Sequence, residues 1–225
     1  MSRRPHIPGP TARRLSLYLR EAEALLAAHQ KTTSSKKLGL ALGLTDAQVR
    51  KDLAYLGQFG YPGIGYKVPE LAERLRKILG TDQPWYGCIV GAGNIGRALM
   101  PYGRFQRKGF HLVAVFDQNP DVVGKVLHGH TVRPMSDLAS LIAERNIKLG
   151  IISVPAAAAQ PVAEALIEAG IVGILNFAPV RLDVHDAVSV VDVDLSVALA
   201  VLAFQASLGF TGSLKEGGSQ PQLYS

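Results

Sequence analysis

The chain has 225 residues, of which 48% are hydrophobic and 19% are charged, a composition typical of a globular protein with a buried core. No apolar run reaches the roughly 18 residues that cross a bilayer, and the basic N-terminus lacks the apolar segment of a secretory signal. We therefore expect a cytoplasmic protein with no membrane partner. The single cysteine, Cys88, excludes an internal disulfide framework and fits a reducing compartment.

The net charge of +6 is unevenly distributed along the chain. Residues 1–80 hold 14 Lys/Arg and 6 Asp/Glu, whereas residues 81–225 hold 10 Lys/Arg and 12 Asp/Glu. A small basic domain beside a near-neutral body is typical of nucleic-acid binding. A solvated basic face without a partner produces the same pattern and is the alternative.

A winged helix-turn-helix domain is predicted for residues 1–80. Apolar residues at helical spacing indicate helices over 11–30, 35–42, 45–56 and 69–79. Thr45 and Gln48 have the spacing of a capping box. The segment GQFGYPGIGYKV predicts a tight hairpin with Pro62 and Gly63 at or near its turn. Two short helices joined by a glycine-containing turn and followed by a hairpin wing indicate DNA binding, although such domains also bind proteins.

The helix over 45–56 is the predicted recognition helix. Gln48, Arg50 and Lys51 lie in its first two turns, where this motif meets base edges in the major groove. Gln pairs in bidentate fashion with adenine, and Arg with guanine. Other side chains lie where they could hold backbone phosphates. These are Arg13, Arg14, Ser34, Ser35, Lys36, Lys37 and Lys67. Val49 fits the core face of the same helix.

From residue 85 the pattern changes to alternating strands and helices. Apolar strands are predicted at YGCIVG, HLVAVFD, LGIISVP, VGILNFAP and AVSVVDV, with helices over 94–105, 135–145 and 156–169 between them. This α/β pattern predicts a Rossmann-like doubly wound parallel sheet over residues 85–193. A helix over 194–210 is apolar nearly all round and must be buried somewhere. Residues 211–225 are predicted to be a disordered tail.

A glycine motif follows the first of these strands and opens a helix, which is the context that dinucleotide binding requires. Its residues are Gly91, Ala92, Gly93, Asn94, Ile95 and Gly96. Gly93 lets the backbone approach a pyrophosphate, and Gly96 lets the helix pack close to the strand. Asp117 ends the second strand, where a carboxylate accepts hydrogen bonds from ribose hydroxyls and repels the extra phosphate of NADP. The predicted cofactor is NAD(H), with another nucleotide such as coenzyme A as the alternative.

Three segments together resemble the Rex family of redox-sensing transcriptional repressors: SSKKLGLALGLTDAQVRKDLAYLGQFGYPGIGYKV, VGAGNIGRAL and GILNFAPV. The resemblance runs from about residue 14 to residue 209. It implies a homodimer in which the C-terminal helix is swapped into the partner subunit. It also implies that NAD+ permits binding to palindromic operator DNA and that NADH triggers release.

The resemblance also assigns individual residues. It matches the recognition helix at Gln48, Val49, Arg50, Lys51 and Asp52, and we include Tyr55 of the same helix in the predicted DNA-binding set. The tyrosine that the family places near the nicotinamide matches Tyr102. An arginine and an aspartate that couple the domains match Arg20 and Asp194, with Asp192 as the other candidate for the aspartate.

An apolar pocket near Tyr102 would penalise the positively charged ring of NAD+ and accept the neutral ring of NADH. Phe177, Ala178 and Pro179 follow a predicted strand and could build such a pocket with Ile95. Ordinary core packing is the alternative interpretation of Phe177.

The competing hypothesis is an NAD-dependent dehydrogenase with a basic appendage. Hydride transfer to a carbonyl needs a proton donor. The candidates are available by residue type alone: His111, His128, His130 and His185. His111 opens a strand, His128 and His130 are expected in a polar loop, and no separate substrate domain remains. We therefore predict a repressor with no catalytic residues and no metal site.

Overall fold

The computed structural model describes residues 7–57, 59–61, 63–185 and 187–213. It divides into two compact units. The first comprises the described residues up to Trp85 together with Gln106–Gly109, and the second comprises Tyr86–Phe105 together with the described residues from Phe110 onward. The predicted tail lies outside the described residues from position 214, whereas 211–213 continue the last helix.

The first unit is built from four helices and one pair of short strands among the described residues. The helices are α1 (Gly9–Ala27), α2 (Ser35–Leu42), α3 (Asp46–Leu53) and α4 (Val68–Leu79), with a 3-10 turn at Ala54–Leu56 that continues α3. The strands are β1 (Thr32–Thr33) and β2 (Tyr66–Lys67), which pair antiparallel. The helices agree with the predicted ranges to within a few residues at each end.

Local capping defines the turn between α2 and α3. Ser34 accepts a hydrogen bond from the Lys37 amide at 3.2 Å, and Gly43 ends α2 in the left-handed conformation. Thr45 accepts from the Gln48 amide at 3.1 Å, as the capping pattern predicts. The reciprocal half of the capping box is not formed, because the Gln48 amide group donates instead to Asp52.

The wing differs from a simple hairpin. Tyr61 and Gly65 form an isolated antiparallel bridge, as a tight turn at this place predicts. The returning strand β2, however, pairs with β1 through the register Thr33–Tyr66. The β1 segment lies between two predicted helices and was not predicted as a strand, because two residues are too few to show strand alternation.

The core of the first unit lies between the four helices. Leu15, Tyr18, Leu38, Leu53 and Leu71 are among its buried members. Val49, which the family resemblance placed in the DNA-binding set, is completely buried in this core. Its side chain therefore stabilises the helix packing and has no surface to offer to DNA.

From Trp85 the chain forms a seven-stranded sheet with the order β5-β6-β4-β3-β7-β8-β9. The strands are β3 (Trp85–Val90), β4 (Phe110–Asp117), β5 (Val126–Leu127), β6 (His130–Pro134), β7 (Leu149–Ile152), β8 (Gly173–Asn176) and β9 (Ser189–Asp192). β6 runs parallel to β4, and β3, β7, β8 and β9 pair parallel in that order. The helices are α5 (Asn94–Leu99), α6 (Arg104–Arg107), α7 (Leu138–Glu144), α8 (Ala156–Glu168) and α9 (Leu195–Ser213).

Two expectations for this region were wrong. The single helix predicted over 94–105 is broken between α5 and α6, where Pro101 and Gly103 intervene. His130 does not lie in a polar loop but begins β6, which pairs antiparallel with β5. The strands of this β5–β6 hairpin were not predicted because its sequence is polar and contains glycine.

The last helix, α9, exposes large apolar side chains all round. Leu195, Leu199, Leu202 and Phe204 are each about 60% exposed in the single chain. The expectation that this helix must be buried is therefore not met within one copy of the chain. No helix in the described part of the chain has the length and apolar character needed to cross a membrane.

Candidate functional site

The glycine loop lies between β3 and α5, at the carboxyl end of the central strand. The chain places β4 on one side of β3 and β7 on the other, so the strand order reverses here. In open parallel sheets, ligands bind in the crevice beside such a reversal. The glycine loop therefore lies at the position where a nucleotide is expected to bind in a sheet of this topology.

Two glycines of the loop are required by geometry. Gly91 has a φ of +101°, and a Cβ atom there would approach the Ser153 carbonyl oxygen to 2.5 Å. A Cβ atom on Gly96 would approach the Gly91 carbonyl oxygen to 2.0 Å. By contrast, a Cβ on Gly93 meets nothing within 4 Å, so this position faces open space that a pyrophosphate can enter.

Asp117 holds the loop from the end of β4. Its Oδ2 atom accepts a hydrogen bond from the Ala92 amide at 2.6 Å, and its Oδ1 atom accepts from the Asn119 amide at 2.8 Å. The carboxylate predicted to bind a ribose therefore lies directly beside the pyrophosphate loop. Each oxygen still has a second lone pair for a ligand hydroxyl.

Two further side chains support this loop and were missed by sequence reasoning. Arg97 donates from Nε to the Ala92 carbonyl oxygen at 2.8 Å, and Ser153 donates from Oγ to the Gly91 carbonyl oxygen at 2.8 Å. Arg97 directly follows the motif, but nothing in the motif demands an arginine. Ser153 comes from the end of β7, so only the parallel pairing of β3 and β7 reveals it.

The residues predicted to surround the nicotinamide are partly brought together. Tyr102 is 45% exposed, and its ring meets Phe105 edge-on with centroids 5.0 Å apart. Phe105 and Phe177 pack against the same core cluster. Ile95 and Pro179 are exposed, whereas Ala178 is buried.

Asn176 fixes the turn that carries Phe177 and was not singled out from the sequence. This residue is 1% exposed, and its Oδ1 atom accepts from the Ala178 amide at 3.0 Å. Its Nδ2 group donates to the Val180 carbonyl oxygen and to Asp192 Oδ1, both at 2.8 Å. The buried amide thus ties the 177–180 turn to β9.

The two candidate coupling aspartates have different surroundings. Asp192 accepts from Asn176, whereas Asp194 caps the start of α9 by accepting from the Ser196 amide at 2.8 Å. Hydrogen bonds from Ser196 hold the pKa of Asp194 below its ordinary value. Arg20 is exposed on α1. Both aspartates are exposed; Asp192 is tied to the buried Asn176 amide, and Asp194 is tied to the first turn of α9.

The predicted DNA-binding residues of the first unit fall into two groups. The exposed group comprises Arg13, Lys36, Lys37, Arg50, Lys51, Tyr55 and Lys67, while Ser34 and Ser35 are half-buried. Arg50 donates to Asp46 Oδ2 at 2.6 Å and to Ser35 Oγ at 3.4 Å. Lys67 in the wing lies 4.6 Å above the ring of Tyr61. These contacts hold cationic groups on α3 and the wing at the surface.

The second group is tied to a buried carboxylate. Asp52 is 1% exposed and accepts from Arg14 Nε at 2.6 Å, Arg14 Nη2 at 2.7 Å, Tyr18 Oη at 2.8 Å and Gln48 Nε2 at 2.9 Å. Burial acts to raise the pKa of Asp52, but hydrogen bonds from Arg14, Tyr18 and Gln48 outweigh it and hold the pKa below its ordinary value. Arg14 and Gln48 therefore have structural partners that the sequence analysis did not foresee.

Groups that an enzyme would need are scattered. His111 lies in β4, His130 begins β6, and His185 accepts from the Ala187 amide through Nδ1 at 3.3 Å. Burial raises the pKa of the Cys88 thiol to about 12, so this sulfur stays protonated at neutral pH. Within the described ranges, no cluster of three His, Cys, Asp or Glu side chains could hold a metal ion.

Comparisons with known proteins agree with this two-part arrangement. A family described as "Putative DNA-binding protein N-terminus" matches residues 6–54, and one described as "CoA binding domain" matches residues 82–180. The redox-sensing transcriptional repressor Rex of Carboxydothermus hydrogenoformans is 48% identical over 198 residues, covering 88% of this chain and 95% of that protein. The chain belongs to the Rex family. The α3 helix, glycine loop and Asn176 turn described above are thus parts of a Rex protein.

Solved Rex structures have the same fold. RSP in complex with beta-NADH has a TM-score of 0.84 at 35% identity, covering 93% of this chain and 99% of that one. RSP in complex with beta-NAD+ and operator DNA has a TM-score of 0.84 at 36% identity, covering 95% and 99%. The α/β fold with a helical DNA-binding N-terminus and a Rossmann-like unit is therefore confirmed for this chain.

Proposed function

We propose that this chain is a cytoplasmic redox-sensing transcriptional repressor. As a homodimer it binds palindromic operator DNA, NAD+ permits this binding, and NADH binding to the Rossmann-like unit releases the DNA. The observation that carries the proposal is the presence, in one Rex-family chain, of exposed cationic side chains on α2, α3 and the wing and of a glycine loop held by Asp117.

NAD(H) is the proposed ligand of the second unit. The pyrophosphate lies in the open space at Gly93, and Asp117 accepts a hydrogen bond from a ribose hydroxyl. A carboxylate at this position opposes the additional phosphate of NADP. The bound dinucleotide contacts the set Gly91, Ala92, Gly93, Asn94, Ile95, Gly96, Tyr102, Asp117, Phe177 and Pro179.

Discrimination between the two redox states lies at the nicotinamide end. NAD+ carries a positive charge on the ring that NADH lacks. An apolar environment of Tyr102 and Phe177, in a turn fixed by buried Asn176, disfavours the charged ring. The ligand changes DNA binding only through different affinities for two arrangements of the dimer, so operator DNA weakens NADH binding by the same factor.

DNA recognition is assigned to α3 and the wing. Arg50 and Lys51 reach base edges, and Lys36, Lys37 and Lys67 hold phosphates. Gln48 gives one of its two amide hydrogens to Asp52 and offers the second, with its Oε1 atom, to a base. The homodimer supplies two such helices to a palindrome, and the exposed apolar surface of α9 supports its role as the swapped dimer contact. Arg20 and Asp194 are the proposed coupling residues.

The deciding experiment is a fluorescence anisotropy titration of a labelled palindromic operator with the full chain, at fixed salt, with NADH and NAD+ added separately. We expect NADH to release the operator at concentrations at which NAD+ leaves the complex intact. A duplex with the same composition and a scrambled sequence controls for non-specific phosphate contacts, which are sequence-independent. Operator binding that neither dinucleotide changes would contradict the proposal and favour a coenzyme A-type module, and detection of substrate turnover would favour a dehydrogenase.

A further inference from the structure

A basic cavity of about 220 Å³ lies in the second unit, away from the glycine loop. It is bounded by β4, the beginning of β6 and the end of α7. Its polar lining consists of His130, Thr131, Arg133 and Arg145, and Val113 and Leu141 contribute to its apolar walls. No function proposed above uses any of these side chains.

Sheet register brings the polar groups onto one face. Arg133 is paired with Phe116 in the parallel ladder between β4 and β6. Thr131 and Arg133 are two residues apart and therefore project on the same side of the sheet. That side carries α7, because Phe116 belongs to the same core cluster as Leu138 and Ile142 of α7. Arg145, which directly follows α7, completes the lining.

The charges of the cavity suit an anion. The guanidinium groups of Arg133 and Arg145 line it, and none of the lining residues is a carboxylate. Arg145 is oriented by donating from Nη1 to the Val113 carbonyl oxygen at 2.5 Å. The guanidinium group of Arg133 has no hydrogen bond or ion pair with any residue that the structure describes, although its backbone is part of the β4–β6 ladder. Planar guanidinium groups bind phosphate oxygens in bidentate fashion, which makes arginine pairs effective phosphate ligands.

The cavity is separate from the dinucleotide site. Val113 precedes Asp117 by four residues along β4, a distance of about 13 Å at ~3.3 Å per residue. The glycine loop leads into α5, and its Ala92 packs with Leu99 and Met100 in a core cluster different from that of α7. Arg133 is paired with Phe116, the neighbour of Asp117, but successive residues of a strand project on opposite faces. The Arg133 side chain therefore lies on the α7 face of the sheet and the Asp117 side chain on the other, so a dinucleotide held by Gly93 and Asp117 leaves Arg133 and Arg145 unused.

We propose that this cavity binds a small phosphate-bearing molecule, either free phosphate or a phosphate monoester, with Arg133 and Arg145 as its anion ligands. Thr131, which projects on the same side of the sheet as Arg133, adds a hydroxyl donor at the rim. The volume of about 220 Å³ favours a compact ligand over a polymer. The chain would thus have a second small-molecule site in its Rossmann-like unit, in addition to the NAD(H) site.

The test is phosphorus NMR of the full chain with inorganic phosphate and, separately, with glycerol 3-phosphate. We expect saturable line broadening that Arg133→Gln weakens by about tenfold or more, because a hydrogen bond to a charged group is lost. Arg181→Gln is the matched control, since it removes an exposed arginine of the same unit outside the cavity. Tighter binding of the monoester would identify a phosphorylated metabolite, and equal binding would identify free phosphate.

Three outcomes would overturn the proposal. These are the absence of saturable binding to the wild type, equal weakening by Arg133→Gln and Arg181→Gln, and displacement of phosphate by NADH, which would place the anion in the glycine loop. A fourth outcome would also overturn it: weaker binding of duplex DNA to Arg133→Gln, with unchanged binding of phosphate, would assign the arginine to DNA. Circular dichroism melting of each variant verifies that it is folded. Arg133→Gln is used in preference to Arg145→Gln because Arg145 also donates to the Val113 carbonyl oxygen, and its replacement would remove that structural contact as well.

Discussion

Replacing Asp52 with asparagine removes the charge of a buried carboxylate that accepts four hydrogen bonds in the first unit. Asparagine has nearly the same volume, so the packing of α1 against α3 is retained. The NH2 group that replaces one carboxylate oxygen, however, cannot accept a hydrogen bond, so one pair of donors is left without an acceptor. Breaking a buried ion pair by removing one partner costs about 3–5 kcal/mol. Since Arg14 is 25% exposed and can turn toward water, we expect the lower end, about 3 kcal/mol.

The assay is urea unfolding of the full chain followed by the fluorescence of Trp85, the single tryptophan, which belongs to the first unit. With a denaturant slope of about 1.5 kcal/mol per M, the midpoint of this transition falls by about 2 M. Asp46→Asn is the matched control: it removes a carboxylate from the same helix, but its ion pair with Arg50 is exposed, so its midpoint should hardly move.

The loss of stability in Asp52→Asn, relative to the wild type, depends on pH. Because the pKa of Asp52 is lowered in the folded state, its stabilisation is fully present above the ordinary pKa of about 4 and is lost as the pH falls through the folded-state value. The difference between wild type and Asp52→Asn should therefore be complete at pH 7 and shrink in acid. A midpoint for Asp52→Asn that equals that of Asp46→Asn at pH 7 would refute this account of the network.

Three further predictions concern the nucleotide and DNA sites. Asp117→Ala should weaken NADH binding about 10- to 100-fold in calorimetry, because a hydrogen bond to a charged group is lost, while operator binding without NADH is retained; an unchanged NADH response would remove Asp117 from the ribose site. Gly96→Ala should lower the melting temperature, because the added Cβ meets the Gly91 carbonyl oxygen. Gly93→Ala should melt like the wild type but bind NADH weakly, since only the ligand occupies the space at this position. Equal melting temperatures of the two variants would argue against this loop geometry. Arg50→Ala should abolish operator binding in the anisotropy assay without changing NADH affinity in the absence of DNA, and retained operator affinity would contradict the placement of the recognition helix.

Features with a local cause were predictable from the sequence. The cap at Thr45, the end of α2 at Gly43 and the strand, loop and helix around Gly91–Gly96 each depend on residues within a few positions of one another. Apolar periodicity likewise predicted the main parallel strands, because burial on both faces leaves near-continuous apolar runs. Periodicity also placed Val49 in the core, where the structure buries it. The family resemblance had included Val49 in the DNA-binding set, so a match to a family motif does not by itself separate contact residues from core residues.

Features that join distant residues were decided only by the tertiary structure. The Asp52 network brings Arg14 of α1 to α3, Ser153 reaches the glycine loop from β7, and Asn176 reaches Asp192 of β9. Each is a polar contact between residues 16 to 62 positions apart, and no sequence period records which partners folding will bring together. The pairing of β1 with β2 was hidden for the same reason. The apolar character of α9 was evident from its composition, but only the fold shows that one copy of the chain leaves that surface exposed, because the sheet and its other helices already enclose their own core.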